Sequence, residues 1–294
     1  MARFLDRRAK MRIGTFNLQY GTTSDGWRPS SKALVTLAGE LAEENLDLLS
    51  LQEADRLHMR SNFADQAKIL ADELGMYHHF SRTTFGTGIA ILSRKPITRV
   101  HDLELPKVQW ALRTGQKGYV AGLRFKPEQP RRVTYIETAD SGKPLIFGNT
   151  HLEASTITLR VQLAVALAGF ARVARVKGSN GPAFEGGARV SDLGENLPAM
   201  ILTGDLNTGP SIVNEISTHL LAKAAELVKD ERPWWMGESL PQFKLLAEGL
   251  TFPASEPSEQ LDYVLGVGVT AHDAHTRRFT ISDHLGLFAD VELD

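Results

Sequence analysis

Carboxylate, amide and imidazole side chains recur in six short motifs along the sequence, and most of these motifs follow a short apolar run. In chain order they are Thr15-Phe16-Asn17-Leu18, Leu51-Gln52-Glu53, Gly148-Asn149-Thr150-His151-Leu152, Thr203-Gly204-Asp205-Leu206-Asn207, Leu261-Asp262-Tyr263 and Ser282-Asp283-His284. Such groups are costly inside a core, but at the ends of buried strands they can bind and react. Hydrolysis of a phosphate ester requires side chains of these types. The developing charge must be neutralised, a water must be positioned and the leaving oxygen must be stabilised.

Glu53 is a candidate ligand for a hard metal ion, because a carboxylate directly after an apolar strand is costly unless a cation compensates it. Its alternative is an exposed residue at a strand end. Asn17 offers a neutral oxygen for the same metal or for a phosphate, and its alternative is capping of the following turn. One or two carboxylates plus waters are the usual ligands of Mg²⁺, so the sequence predicts Mg²⁺ (or Mn²⁺) as the cofactor.

Asp205 and Asn207 are two positions apart directly after an apolar strand. In an extended chain both side chains would point to the same side, where a carboxylate and an amide could face a water and a phosphoryl oxygen. The alternative is an Asx-turn ahead of Gly209-Pro210.

His151 and His284 are the candidates for charge neutralisation or proton transfer. Either could donate to a phosphate oxygen as an imidazolium or shuttle a proton. Asp262 is predicted to orient His284 as the carboxylate of a His–Asp pair, and Asp283 is predicted either to assist the metal or to position His284. Since neither Ser, Thr nor Cys occurs in the context of a nucleophile, we expect direct attack by water.

The motifs and their order resemble the endonuclease/exonuclease/phosphatase superfamily, which includes pancreatic deoxyribonuclease, exonuclease III, the inositol polyphosphate 5-phosphatases and the neutral sphingomyelinases. The resemblance runs from about Met11 to the end of the chain. It implies that Asp205 polarises the attacking water or protonates the leaving group, while Asn207 orients it. Arg160 follows His151 at a spacing seen in the family, which implies contact with phosphate or bracing of a loop. Its alternative is a surface arginine on a helix.

A nucleic-acid phosphodiester is the predicted substrate, because basic residues that could follow a phosphate backbone lie between the motifs. Arg113 and Lys117 are the candidate substrate-binding residues. The basic stretch also contains Arg124, Lys126, Arg131, Arg132, Arg172, Arg175, Lys177 and Arg189. A solvated charged face is the alternative interpretation. A sphingomyelinase-like, other phospholipid or small-molecule phosphodiesterase is the alternative function. A catalytically dead binding module is a third, which the complete set of motifs argues against.

Composition sets wide bounds on the protein. The chain has 294 residues, of which 42% are hydrophobic, and no cysteine, which excludes disulfides and thiolate metal sites. We predict an extension over residues 1–10 and a single catalytic domain over 11–294. A formal net charge of −2 is less basic than a non-specific nucleic-acid coat usually is. The sequence has neither a signal peptide nor a membrane-spanning run, which predicts a cytoplasmic location unless a signal was removed beforehand. No stable protein partner is inferred.

The fold that the resemblance implies is of the α/β class, with two mixed β-sheets packed face to face and helices outside, in four layers (α-β-β-α). The pattern suits it, because strands outnumber helices and several neighbouring strands are joined by hairpins. Strands are predicted at 11–18, 46–51, 88–92, 119–125, 132–137, 144–150, 199–202, 261–265 and 285–293. Helices are predicted from Ser30-Ser31 onward through Leu34, Leu37 and Leu41, and at 62–74, 156–176 and 211–228, with a hairpin turn at 140–143 and a surface loop at 178–197.

Overall fold

The computed structural model describes residues 10–23, 30–107, 130–138, 144–154, 156–176, 198–214, 221–222, 233, 235 and 240–294. The strands are β1 (Lys10–Asn17), β2 (Leu48–Asp55), β3 (Tyr77–Thr84), β4 (Thr87–Ser93), β5 (Ile97–Glu104), β6 (Arg132–Thr138), β7 (Leu145–His151), β8 (Ala199–Asp205), β9 (Lys244–Ala247), β10 (Asp262–Val267), β11 (Val269–Arg277) and β12 (Gly286–Leu293). The α-helices are α1 (Ser31–Ala42), α2 (Gln66–Leu74), α3 (Thr156–Val176) and α4 (Pro210–Asn214).

The described strands form two mixed six-stranded sheets. One has the order β11-β12-β1-β2-β4-β3 and the other β5-β6-β7-β8-β10-β9. In each sheet a central pair is parallel, β1 with β2 and β7 with β8, and the remaining pairs are antiparallel. The central strands of the two sheets pack face to face. The predicted architecture of two mixed sheets flanked by helices is confirmed.

Three apolar layers hold these elements together. Between the sheets lie side chains such as Ile13, Phe147 and Val264, while α1 and α2 cover the outer face of the first sheet. Helix α3 covers the outer face of the second sheet. Buried strands and amphipathic helices therefore account for the four-layer order. None of the described helices is long and apolar enough to cross a membrane.

The helix ends follow from local sequence signals. Ser30 caps α1 by accepting a hydrogen bond from the Ala33 N–H, and Asp65 caps α2 through the Lys68 N–H. Gly75 ends α2 in the left-handed region at φ 64°, which glycine adopts without penalty. The predicted start of α2 at Asn62 is wrong, because Asn62 ends the separate 3₁₀ turn Met59–Ser61 in the left-handed region at φ 54°. The helix begins at Gln66.

Two further corrections concern the strands. Strand β2 does not end at Gln52-Glu53 but continues to Asp55, with a register shift against β4 between Leu51 and Ala54. The sequence pattern missed β3, β5, β9 and β11, which are the outermost described strands of the two sheets. Edge strands expose more polar side chains, so their apolar alternation is weak. In the predicted helix at 211–228, the described residues 211–214 and 221–222 are helical, as expected, and residues 215–220 and 223–228 lie outside the described residues. So do the predicted strand at 119–125, the turn at 140–143 and the whole of the loop at 178–197.

A buried polar cluster joins the two sheets beneath the ends of β1, β2, β7 and β8. The Asn149 side chain accepts a hydrogen bond from Gln52 Nε2 (2.8 Å) and donates to the carbonyl oxygens of Leu51 (3.0 Å) and Ala90 (2.8 Å). Ser50 and Thr203 share a second hydrogen bond between the sheets, at 2.5 Å. Because these side chains are fully buried, their bonds fix how the strand ends of one sheet meet those of the other.

Asn149→Ala should lower the free energy of unfolding by about 3 kcal/mol, because it removes three buried hydrogen bonds, one from the Gln52 amide and two to the carbonyl oxygens of Leu51 and Ala90. Urea unfolding followed by circular dichroism measures this loss. Thr270→Ala is the matched control, because it removes an exposed hydrogen bond to Asp294 and should change the value by about 0.5 kcal/mol or less. Equal losses in the two variants would contradict the structural role of Asn149.

Candidate active site

The pairing of the second sheet places three polar residues in one row. Asp205, the last residue of β8, pairs with His151 on β7 and with Asp262 on β10. Residues that are directly opposite on neighbouring strands share a face of the sheet. Gly204 makes this arrangement possible, because its φ is 141° and a Cβ there would clash with the carbonyl oxygen of Thr150.

The first sheet contributes the residues that face this row. Asn17 ends β1, Glu53 lies near the end of β2, and His284 precedes β12. Side chains from both sheets surround one atom, Asp205 Oδ2. Asn17 Nδ2 donates to this oxygen at 2.9 Å, His151 Nε2 lies 3.6 Å from it and His284 Nε2 lies 3.8 Å from it. Glu53 Oε1 is 4.0 Å from His151 Nε2. The structure therefore brings together these five predicted site residues, which lie far apart in the sequence.

His284 and Asp262 form the predicted hydrogen-bonded pair, with 2.8 Å between His284 Nδ1 and Asp262 Oδ2. Both side chains are buried, and the Phe252 ring packs on the imidazole with centroids 5.0 Å apart. Burial acts to lower the pKa of His284, but the Asp262 carboxylate outweighs it and the pKa rises to about 9. In the metal-free protein His284 is therefore an imidazolium at neutral pH, with Nε2 directed towards Asp205.

The Ser282 side chain accounts for the serine in the Ser-Asp-His motif, because it holds the turn that carries His284. Its hydroxyl donates to the Asn17 carbonyl oxygen (2.5 Å) and accepts from the His284 N–H (3.0 Å). Its backbone has φ 79°, a conformation that residues other than glycine rarely adopt. The turn that carries His284 is thus fastened directly to the end of β1, beside Asn17.

The acids of the site are poorly compensated by the described side chains. Burial, and then the neighbouring Asp262 carboxylate, raises the pKa of Asp205 to about 7. Burial also raises the pKa of Glu53, against the opposing effects of Tyr20 and Arg131. For His151, burial keeps the pKa well below its usual range, which leaves the imidazole neutral. The site thus holds more buried acid than buried positive charge.

The chain does not stay extended after Asp205, so the extended-chain prediction for Asp205 and Asn207 is wrong. Asn207 has φ 50°, and its N–H donates to Asp205 Oδ1 (2.9 Å) in an Asx-turn. Its side-chain amide donates to the Leu152 carbonyl oxygen (3.0 Å). Asn17 caps a turn in the same way, because its Oδ1 accepts from the Gln19 N–H (2.9 Å). Asp205 and Asn17 thus each accept the backbone hydrogen bond of a turn, which is the structural alternative, and both also lie at the site.

The other predicted site residues are less centrally placed. Asp283 accepts from Gln19 Nε2 (2.7 Å) and is not the carboxylate that bonds to His284. Arg160 is half-buried on α3, and its contact with phosphate or with the loop stays a prediction. Gln162, two positions further on, accepts from the Glu153 N–H and donates to the Pro106 carbonyl oxygen. Arg113 and Lys117 lie outside the described residues, so their contact with substrate stays a prediction.

Sequence reasoning missed a group of residues around Glu53. The Tyr20 hydroxyl lies near the Glu53 carboxylate, and each acts on the pKa of the other. Arg60 lies over the Tyr20 ring, with its guanidinium carbon 3.2 Å from the ring centroid, and forms a two-pronged hydrogen bond with the buried Asp55. Proximity to the Asn17 and Glu53 motifs was the available signal, but these contacts depend on how two strand ends meet.

Two arrangements for a cation compete on this geometry. Ligand atoms of Asp205, Asp262 and His284 all lie within 4.8 Å of one another, close enough for a common ion. However, the 2.8 Å hydrogen bond between His284 and Asp262 already uses two of these groups. Asn17, Glu53 and Asp283 are the oxygen ligands that the sequence predicts, and a cation bound by them would leave the His–Asp pair intact.

Comparison with known proteins agrees with this geometry. The sequence model of the Endonuclease/Exonuclease/phosphatase family matches residues 14–284 of the chain, while none of the curated proteins matches it. An endonuclease/exonuclease/phosphatase from Bacteroides vulgatus is 17% identical, with a TM-score of 0.61, and the match covers 98% of this chain and 100% of that one.

Two further solved structures share the fold. ANGEL2, a 2′,3′-cyclic phosphatase solved with adenosine-2′,3′-vanadate, is 13% identical with a TM-score of 0.57, over 97% of this chain and 96% of that one. The mannosyl-6-phosphatase Bt3783 of Bacteroides thetaiotaomicron is 18% identical with a TM-score of 0.56, over 96% and 99%. At these identities the likeness establishes the fold, and the match over residues 14–284 establishes the family. The chain therefore belongs to the endonuclease/exonuclease/phosphatase family, whose members hydrolyse phosphate esters.

Proposed function

We propose that this protein is a Mg²⁺- or Mn²⁺-dependent hydrolase that cleaves a phosphate ester by direct attack of water. The observation that carries the proposal is the convergence of Asn17, His151 and His284 on one oxygen of Asp205, with Glu53 beside them. Two imidazoles and several carboxylates at one point suit the neutralisation and proton transfer that hydrolysis requires.

The residues present fit a hard divalent cation. Buried acid exceeds buried positive charge at the site, and the pKa of Glu53 is raised mainly by burial, so a cation there would lower the cost of its charge. Glu53 would hold the ion, with Asn17 and Asp283 as the assisting oxygen donors. A bound cation would neutralise the phosphoryl oxygens and stabilise the leaving oxygen.

The remaining residues divide the proton chemistry between them. His284, held by Asp262, donates a charged hydrogen bond to a non-bridging phosphate oxygen. Asp205 takes a proton from the attacking water or gives one to the leaving oxygen, and a pKa of about 7 suits that exchange. Asn207, fixed on the Leu152 carbonyl, orients the water, while the neutral His151 accepts or relays a proton.

A nucleic-acid phosphodiester is the first candidate substrate. The positive charge of Arg131 acts to lower the pKa of both Glu53 and His151, so a cation of the predicted basic stretch lies near the site. Arg131 also pairs with Glu153 at 3.5 Å, and we propose that it binds a substrate phosphate. Two of the similar solved structures are named as phosphatases, and one of them was solved with an adenosine derivative.

A phospholipid is the second candidate, because an apolar rim lies beside Glu53. The rim consists of Leu57 (62% exposed), Met59 (75%), Phe63 (60%) and Phe85 (87%), the four most exposed large hydrophobic residues of the described chain. The two segments that carry them are joined by a 2.6 Å hydrogen bond from the Arg56 N–H to the Gly86 carbonyl. Exposed apolar clusters of this kind mark interaction sites, and side chains of this type can enter a lipid surface.

Metal dependence tests the proposal most generally. Activity on bis-p-nitrophenyl phosphate should require Mg²⁺ or Mn²⁺ and vanish in excess EDTA. Glu53→Ala should lower the rate about a hundredfold or more, as loss of electrostatic stabilisation typically does. Glu73→Ala on the exposed face of α2 is the matched control and should retain the wild-type rate. Full activity in EDTA would refute the metal-dependent mechanism.

The His284–Asp262 pair should act as one unit. Asp262→Asn keeps the shape but removes the charge that holds the imidazolium, so kcat should fall far more than KM rises. His284→Ala should cost about as much, and the double variant little more than either single change. Steady-state kinetics of the four proteins gives this cycle. Additive losses would show that the two residues work separately.

The substrate class can be decided with one preparation and five substrates: single- and double-stranded DNA, abasic DNA, RNA and sphingomyelin vesicles. Turnover of a nucleic acid should fall steeply with added salt, because each phosphate contact releases counterions. The double variant Phe63→Ser/Phe85→Ser separates the candidates. A selective loss of vesicle turnover, with unchanged hydrolysis of bis-p-nitrophenyl phosphate, would favour the lipid; Tyr77→Ser, an exposed aromatic elsewhere, is its control. Turnover of sphingomyelin without turnover of DNA or RNA would refute the nucleic-acid proposal.

A further inference from the structure

The two residues that follow the Asn17 motif have an unusual backbone. Gln19 has φ 44° and Tyr20 φ 59°, so two consecutive residues with side chains occupy the left-handed region. This region is unfavourable for both, and such strain persists where the surroundings fix it, often at functional sites. The chain adopts it directly beside the candidate active site, in the 3₁₀ turn Gln19–Gly21.

Each of the two side chains contacts a different carboxylate of the site. Gln19 Nε2 donates to Asp283 Oδ2 at 2.7 Å. The Tyr20 hydroxyl lies near the Glu53 carboxylate, whose charge acts to raise the pKa of the phenol. Asp283 and Glu53 come from segments that are 230 positions apart in the sequence, and the Gln19–Tyr20 turn lies against both of them.

Tyr20 is itself held from two directions. Arg60 covers its ring at 3.2 Å and is locked in place by Asp55 Oδ1 and Oδ2 (2.7 and 2.8 Å). Gln66 Nε2 donates to the Tyr20 carbonyl oxygen (2.6 Å), while Gln66 Oε1 accepts from the Asp55 N–H (2.8 Å). Arg60 makes its hydrogen bonds to Asp55 while it covers the phenol, and its charge also interacts with that of Glu53.

We propose that Gln19 and Tyr20 are positioning residues that orient the Asp283 and Glu53 carboxylates towards the divalent cation. The inference rests on the proposed metal-dependent function. A hydrogen bond to one carboxylate oxygen restricts the rotation of the group and would leave the other oxygen available to the cation. Partners of metal ligands act in this way, and their loss typically weakens metal binding about 10–100-fold.

Calorimetric titration of the metal-stripped full-length protein with Mn²⁺ tests the proposal without substrate. Tyr20→Phe removes only the hydroxyl, and Gln19→Met keeps the length of the side chain while removing its donor. We expect Tyr20→Phe to weaken Mn²⁺ binding about tenfold or more, Gln19→Met to weaken it as well, and the double variant to weaken it further. Tyr77→Phe, which removes an exposed hydroxyl on β3, should bind like the wild type.

Kinetics distinguishes positioning from a general loss of structure. At saturating Mn²⁺ the Tyr20→Phe variant should recover most of the wild-type kcat on bis-p-nitrophenyl phosphate, and the metal-free variants should melt at the wild-type temperature. Wild-type Mn²⁺ affinity in both Tyr20→Phe and Gln19→Met would overturn the inference while leaving the proposed function intact. Failure of the wild-type protein itself to bind Mn²⁺ would overturn the proposed function, and this inference with it.

Discussion

Buried negative charge at the meeting point of two sheets is the constraint on which the rest of the site depends. Asp205 and Asp262 are neighbours on adjacent strands, and Glu53 approaches from the opposite sheet. Carboxylates this close are costly together unless positive charge and donors surround them. The described structure supplies part of that compensation through the His284 imidazolium and the Asn17 amide, and a divalent cation would supply the remainder.

The buried central strands could be predicted from the sequence, whereas the exposed edge strands could not. Central strands such as β8, which is buried along its whole length, form apolar runs that the sequence reveals directly. The outermost strands do not: β5 and β11 alternate irregularly between exposed and half-buried positions, because one side of an edge strand has no neighbour. The four-layer order came from the resemblance, and the helix caps at Ser30 and Gly75 from local chemistry.

The candidate site was predictable in its members but not in its supporting contacts. A carboxylate or imidazole directly after an apolar run, such as Asp205, can be recognised in the sequence because a charged group does not contribute to packing of the core. The contributions of Tyr20, Arg60 and Ser282 depend on left-handed backbone and on contacts between strand ends far apart in the chain. The Asx-turn at Asp205 could be named beforehand as an alternative, but its presence follows from the path of the chain beside Leu152.

The central claim is that a cation binds on the Glu53 side of the site while the His284–Asp262 pair stays intact. Anomalous diffraction from crystals grown with Mn²⁺ tests it most directly. The account predicts one anomalous peak within direct bonding distance of Glu53, with the hydrogen bond between His284 Nδ1 and Asp262 preserved. A peak coordinated by Asp262 and His284, which the proximity of their ligand atoms would also permit, would contradict the account.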